Sequence, residues 1–268
     1  PSRGLGDVYK RQVYVYYGST SGLVESSEQK IVPPGVGSGD FSGGAVATAG
    51  DVNGDGYDDI IIGATGDDTV SRSSGAAYVM YGSATGIVES TADKLTDPEG
   101  DTQHYLGDYV VSAGDVNADG YDDVLVGAVF GDAALLFFGS SSGIVTSGEY
   151  RVVPADGMED TQAGFYVAGA GDVDGDGYDD FLSGAPDDSE AGHHAGAAYL
   201  YYGQPSTDAD GDGVTIWQDC DDSDASVGIG VVSFTDADGD GYGDTTTGEY
   251  VCSLPSGTVA VSYTHLTL

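Results

Sequence analysis

Basic residues are almost missing from this sequence. Seven Lys and Arg stand against 45 Asp and Glu in 268 residues, a formal net charge of -38. A field of that sign repels phosphate backbones and anionic lipid surfaces, which excludes nucleic acid and acidic membranes as partners. No run of 18 apolar residues occurs, so no segment reads as a membrane-spanning helix. Strong helix formers are scarce as well. The signatures of catalysis are missing: no nucleophile elbow, no Ser/His/Asp spacing, no Gly-Lys-Ser/Thr phosphate loop and no zinc pattern. His193-His194 is the one conspicuous imidazole pair, and its loop setting reads as exposed surface. No enzymatic role is expected of this sequence.

Gly (45) and Tyr (19) are abundant, and with so few helix formers they favour an all-β fold. Acidity of this degree can mean disorder. Here 40% hydrophobic residues, grouped in regular strand-like runs, argue for a folded chain.

The acidic residues are not scattered. The stretch Asp51-Val52-Asn53-Gly54-Asp55-Gly56-Tyr57-Asp58-Asp59 recurs at 115–123 and at 172–180. Acidic or amide side chains fill positions one, three and five: Asp51, Asn53 and Asp55, then Asp115, Asn117 and Asp119, then Asp172, Asp174 and Asp176. Alternate residues of a tight loop can aim oxygens at one point, and Gly at position six allows the turn that wraps the loop around it. The carbonyls of Tyr57, Tyr121 and Tyr178 at position seven add a neutral oxygen, and Asp59, Asp123 and Asp180 at position nine close the cage. Oxygen ligands alone specify a hard cation, calcium above all. Asp-Asn-Gly segments also make good turns without an ion. Against that reading, two carboxylates about 4 Å apart repel by roughly 4 kcal/mol at an effective dielectric near 20, so crowded loops need a neutralising charge.

The repeat is longer than the loop. The loops start at 51, 115 and 172, a period of about sixty residues that suits a propeller blade or a solenoid unit. In each unit a small-residue run (44–50, 108–114, 166–171) precedes the loop and an unbroken apolar run (60–64, 124–128, 181–185) follows it. Unbroken apolarity predicts a strand covered on both faces. An aromatic-rich strand comes third (76–81, 134–138, 197–202, and earlier 13–17), and a short fourth reads 29–32, 94–96 and 150–153. Four antiparallel strands per unit make a propeller blade.

The phrase from Phe41 to Ala64, ending Gly-Asp-Val-Asn-Gly-Asp-Gly-Tyr-Asp-Asp-Ile-Ile-Ile-Gly-Ala, resembles the FG-GAP repeat of integrin α-subunit propellers and of many bacterial surface proteins. The Phe-Gly start is degenerate (Phe41-Ser42, Tyr105-Leu106-Gly107, Phe165-Tyr166), and only Gly184-Ala185-Pro186 keeps the final Pro. The resemblance covers residues 13–203. It implies a partial β-propeller of about three and a half four-stranded blades: the end of one, two complete ones, and a third lacking its outer strand. It also implies calcium in the three loops and the remaining blades of the same chain as partners. The Gly-Ser-x-x-Gly-Ile/Leu turn after the aromatic strand (18–23, 82–87, 139–144) fails at Gly203-Gln204-Pro205, where the pattern stops.

From Asp208 onward the composition changes to Asp-rich repeats. Asp208, Asp210, Asp212, the Val214 carbonyl and Asp219 have the spacing of an EF-hand-like loop with Asp at position twelve. Asp236, Asp238, Asp240, Tyr242 and Asp244 form a second acidic loop, resembling thrombospondin type 3-like repeats and the Asp/Cys metal-binding repeats of bacterial surface proteins. One or two further calcium ions are expected in this small, loop-rich region, unless it is a solvated acidic linker. That resemblance pairs Cys252 with a partner outside this sequence and leaves Cys220 unpaired or joined to Cys252. Two cysteines beside loops suited to millimolar calcium fit an oxidising exterior.

Residues 1–12 and 261–268 break the local composition and resemble translated sequencing adaptor, so both are set aside as non-native. The expected organisation is blades over 13–203 and Asp-rich repeats over 204–260, in a piece of a longer secreted or cell-surface bacterial protein. The expected function is a calcium-binding structural or interaction module that displays loops to a protein or glycan in adhesion. The alternative is an accessory propeller of a secreted hydrolase or lyase whose catalytic domain lies elsewhere. Trp217 and the many Tyr are read as packing between blades rather than as a sugar-stacking surface. Integrin-like ligand binding through a separate metal site would need an inserted domain that is not here.

Overall fold

Short apolar runs punctuated by Gly and Asp turns form short antiparallel strands, since each turn leaves only five or six residues before the chain must reverse. The structure, a computed structural model, describes residues 13–24, 27–98, 100, 103–146, 150–153, 161–189 and 193–205, with the backbone of 231–235, 249–251 and 258–260. Residues 1–153 with 160–203 cluster into one unit, and 154–159 with 204–268 into a second.

In the first unit, β1 (Val13–Val15) pairs with β4 (Gln29–Ile31), with a small hairpin of β2 (Gly18–Ser19) and β3 (Gly22–Leu23) between them in sequence. This pair is blade A. Blade B is the four-stranded sheet of β5 (Val46–Gly50), β6 (Asp59–Ala64), β7 (Ala76–Met80) and β8 (Ala92–Leu95). Blade C repeats it with β9 (Leu106–Gly114), β10 (Asp123–Ala128), β11 (Ala133–Phe137) and β12 (Tyr150–Val152). Blade D has three strands, β13 (Tyr166–Gly171), β14 (Asp180–Ala185) and β15 (Ala197–Tyr201). Blades B, C and D are sequential antiparallel meanders, and no α-helix occurs among the described residues. The fold is all-β, an arc of about three and a half propeller blades as the sequence pattern anticipates. The second unit contributes a three-stranded sheet of β16 (Val231–Thr235), β17 (Glu249–Val251) and β18 (Thr258–Ala260), in the order β17-β16-β18.

The unbroken apolar strands are buried on both faces where a blade has two neighbours. All residues of β7, β10 and β11 are buried. Ile61, Val79, Leu106, Val124, Val126, Leu135 and Phe137 join blades B and C in a single core. Each such side chain contributes about 1.5–3 kcal/mol through burial. In blade D the same pattern is only half covered: β15 alternates between partly buried and exposed, and Tyr166 and Val173 are open to solvent. The physical reason is packing, since one face of blade D lies on blade C and the other has no described blade against it.

Glycine sets how closely blades approach. Gly63 in β6 and Gly127 in β10 lie so near the carbonyl oxygens of Gly107 and Gly164, in the blade that follows, that a methyl group on either would overlap them. Gly107 and Gly164 themselves hold φ of 93° and 79°, which favours glycine. A second device is a tyrosine latch. The Tyr17 hydroxyl donates to Gln29 Oε1 (2.5 Å) and accepts from the Ile87 amide of blade B (2.9 Å). One blade on, the Tyr81 hydroxyl donates to Asp93 and accepts from the Ile144 amide of blade C (3.2 Å). The Gly-Ser-x-x-Gly-Ile turn thus delivers one amide to the preceding blade. In blade C the latch position is Phe138, which has no hydroxyl, and the turn that would meet it is the one that fails at Gly203-Gln204-Pro205. Both halves of the latch change at the same interface.

Candidate metal centres

The three acidic loops join the first strand of a blade to its second, at the ends of β5, β9 and β13. Their hydrogen bonds repeat atom for atom. In the first loop the Asp55 amide donates to Asp51 Oδ1 (3.0 Å) and Asn53 Oδ1 (2.9 Å), the Gly56 amide to Asp51 Oδ2 (2.8 Å), and the Tyr57 amide to Asp55 Oδ1 (3.0 Å). In the second, the Asp119, Gly120 and Tyr121 amides make the same four bonds to Asp115, Asn117 and Asp119 at 2.9–3.0 Å. In the third, Asp176, Gly177 and Tyr178 do so at 3.0–3.2 Å onto Asp172, Asp174 and Asp176. Backbone amides therefore hold one side of each carboxylate and turn the loop about positions one, three and five. Glycine at position six has φ of 88°, 92° and 98° in the three loops, as the wrapping requires.

Positions one, three and five come together in every loop. In the third, one carboxylate oxygen from each of Asp172, Asp174 and Asp176 lies within 4.8 Å of the others, all three side chains being exposed. In the first two loops Asn takes the middle place, and its amide donates to Asp55 Oδ2 (3.2 Å) and Asp119 Oδ2 (3.1 Å). Burial raises the Asp119 carboxyl above its ordinary range, against the amide of Tyr121. Carboxyl or amide oxygens from three residues per loop, held together by the backbone with no sulfur donor among them, fit a hard divalent cation.

Position nine makes contacts of its own. Asp59, Asp123 and Asp180 are fully buried. Asp59 accepts from the Val52 amide (3.1 Å) with one oxygen and from the Gly82 amide (2.7 Å) with the other. Asp123 does the same with Val116 (3.0 Å) and Gly139 (2.8 Å), and Asp180 with Val173 (2.7 Å) and Gly203 (2.9 Å). This residue stitches the loop to the end of the third strand. Burial pushes Asp59 up to about 6 and Asp123 to about 8, with those amides pulling the other way.

A pH dependence follows. Both carboxyls sit above the unfolded value of 3.8, so the native state binds the extra protons. That contribution to stability is full below pH 3.8 and is lost as pH rises through about 6 for Asp59 and about 8 for Asp123. In EDTA the chain is expected to melt several degrees lower at pH 9 than at pH 5. A cation held by these carboxyls would compete with those protons, so the gap between calcium and EDTA melts is expected to widen with pH. A metal-free melting point that rises over this range would contradict the assignment.

The spacing did not single out position eight. The Asp122 carboxylate crosses to the preceding blade and accepts the Asp51 amide (2.7 Å), and Asp179 accepts the Asp115 amide (3.1 Å). Each loop is thereby tied to the next around the arc. Gly50 and Gly114 leave the space those carboxylates occupy. The signal was present, because Asp fills position eight in all three copies although an even position does not face the loop centre. Asp208, Asp210, Asp212, Val214, Asp219, Asp236, Asp238, Asp240, Tyr242 and Asp244, like Trp217, Cys220 and Cys252, lie outside the described residues. His193 and His194 are exposed as expected, with His194 Nδ1 3.2 Å from Asp187 Oδ1.

The FG-GAP repeat family matches residues 42–80, 108–146 and 165–201, one match for each described loop. Integrin α chains are also similar. Integrin alpha-PS3 of Drosophila melanogaster is 33% identical over 175 residues, 62% of this chain and 15% of that protein. Integrin alpha-3 of Cricetulus griseus is 32% identical over 167 residues, 60% of this chain and 16% of that protein. Integrin alpha pat-2 of Caenorhabditis elegans is 32% identical over 173 residues, 55% and 13% of the two chains. The chain thus spans only 13–16% of the length of these relatives. The strand order, the threefold loop and these similarities agree that this chain carries FG-GAP repeats and that residues 42–201 belong to an integrin α-like β-propeller.

Proposed function

We propose that this chain is a calcium-binding extracellular interaction module, with blades over 13–203 and Asp-rich repeats over 204–260. Asp51, Asn53, Asp55, the Tyr57 carbonyl and Asp59, with their counterparts at 115–123 and 172–180, hold one ion per loop. When bound, the ion neutralises the crowded carboxylates and stiffens the link between first and second strands. The observation that carries this reading is the threefold recurrence of one hydrogen-bond pattern holding carboxyl and amide oxygens inward.

Adhesion or ligand display, on a bacterial surface or a secreted protein, is the role we assign to the rigid arc. The named integrin relatives support an adhesion-type module. No helix among the described residues is long and apolar enough to cross a membrane. The strand ends opposite the loops offer a surface for a protein or glycan: Phe41, Thr65, Gln103, His104, Tyr105, Asp108 and Phe130 line an open cavity of about 710 Å³ there. The Phe41 and Phe130 side chains stand exposed at its rim, and Tyr105 meets Phe130 edge-on at 5.6 Å. Asp55→Ala is expected to remove one calcium from the stoichiometry in isothermal titration, because it deletes the position-five ligand of one loop only. An undiminished stoichiometry would mean that this loop holds no ion.

A further inference from the structure

Two phenyl rings of the cavity opposite the acidic loops add little to the core. Phe41 is 60% exposed and Phe130 63%. The turn that carries Phe41 recurs in blades B, C and D. The Gly44, Asp108 and Phe165 amides donate to the carbonyls of Phe41, Tyr105 and Gln162, and those three acceptors hold φ of 54°, 53° and 55°. Left-handed backbone strains a bulky residue, and Gly or Asn would make the turn with less strain. Gln162 shows that the turn needs no ring. Blades B and C nevertheless place a ring there, and both rings line the one cavity.

The carboxylate of this cavity is equally foreign to the repeat. Gly44 and Phe165 supply the donor amide of the turn as well as Asp108 does, so the turn asks for no acid at that place. Among the described residues no donor or cation meets the Asp108 carboxylate, and burial, the one influence on it, raises it above its ordinary range. Tyr105 is held from two sides: its ring meets Phe130 edge-on, and its hydroxyl accepts from Gln103 Nε2 at 3.2 Å. The volume of about 710 Å³ falls within the roughly 300–1,000 Å³ usual for small-ligand sites. Exposed rings call for a ligand with an apolar face. Asp108 can only accept, whereas the Thr65 hydroxyl and the Gln103 amide both donate and accept. A pyranose meets all of these at once, with C–H groups on its face and hydroxyls around its edge. An ammonium or guanidinium group suits the rings and Asp108, but it only donates and is far smaller than the cavity.

We propose that this cavity between blades B and C is a carbohydrate site that takes one pyranose unit of a neutral glycan. The C–H face of the sugar lies against Phe41 and Phe130, adjacent hydroxyls donate to the two oxygens of Asp108, and Thr65 and Gln103 meet the remaining hydroxyls. The inference rests on the display role given to the arc and names its ligand as a glycan.

The test uses the full 268-residue chain in calcium buffer, with the methyl glycosides of glucose, galactose, mannose and N-acetylglucosamine as probes in saturation-transfer difference NMR. At least one is expected to bind saturably below about 50 mM, with its ring C–H protons receiving the most saturation. Asp108→Ala and Phe130→Ala should each weaken that sugar at least about tenfold, through loss of a charge-assisted hydrogen bond or of a stacked ring. Tyr202→Ala, which removes an exposed ring outside the cavity, should bind as the unaltered chain does. If either cavity variant does not fold, Phe41→Ala takes its place. Equal affinity in the cavity variants and the unaltered chain would overturn the proposal. Asp108-dependent binding of N-acetyl-arginine amide with no sugar bound would overturn it too, while keeping the display role. Binding of neither class of probe would count against both.

Discussion

Chelation of calcium is expected to lower the melting temperature of the chain by on the order of 15 °C or more. On the proposed reading calcium binds the folded loops and hardly the unfolded chain, so ion at about 100 times Kd stabilises by roughly 2.7 kcal/mol per site. Three loops together contribute roughly 8 kcal/mol, and each kcal/mol moves the midpoint of a domain this size by about 2–4 °C. The loops are also coupled, because the Asp122 and Asp179 carboxylates tie each to the next, so emptying one loosens its neighbour. Thermal circular dichroism in millimolar calcium and in EDTA measures the difference. Magnesium should restore less of it, since it dehydrates reluctantly and demands a tighter geometry. A melt that does not respond to chelation would leave the carboxylate clusters without the role assigned to them.

Substituting Gly63 by Ala is expected to destabilise the chain by about 3 kcal/mol or more, at the upper end of overpacking costs. The added methyl would overlap the Gly107 carbonyl oxygen in the next blade, and both groups belong to backbone that cannot swing aside. Gly184→Ala is the internal control, at the same place in blade D. There the nearest atoms stand 3.5 Å from the new carbon and belong to Tyr166 of the same blade. Alanine has less backbone freedom to lose than glycine, so this variant should be neutral or more stable by about 0.5–1 kcal/mol. Urea unfolding of the two variants separates a close approach between blades from a general intolerance of alanine. Equal losses at both positions would refute the interlock.

Much of the blade was readable from residue pattern because the repeat states it three times. Ile60-Ile61-Ile62 and Val124-Leu125-Val126 were recognised as strands covered on both faces, and 76–81 and 134–138 as aromatic-rich strands; in blades B and C all four are buried throughout or nearly so. The same reasoning overstated 181–185, where Leu182 and Gly184 in β14 are only partly buried. Pattern reports what a strand is suited to bury, whereas burial needs a neighbour. The loop positions were readable for a similar reason, since alternate oxygens and a glycine at six are local requirements. Position nine was anticipated as a cage residue, yet its clasp on Gly82, Gly139 and Gly203, 16 or 23 residues away, was not. Position eight and the Tyr17 and Tyr81 latches were missed because their partners lie 63–71 residues away in another blade.

Local chemistry alone therefore determined the strand menu, the turns and the three oxygen-lined loops: each depends on residues within a dozen positions, and backbone sterics and ligand spacing act at that range. Tertiary structure decided how the blades lock together, through carboxylates reaching back to the preceding loop, glycines facing carbonyls and tyrosines accepting a neighbour's amide. Those facts depend on the distance between segments far apart in the chain, and only the packed backbone sets that distance.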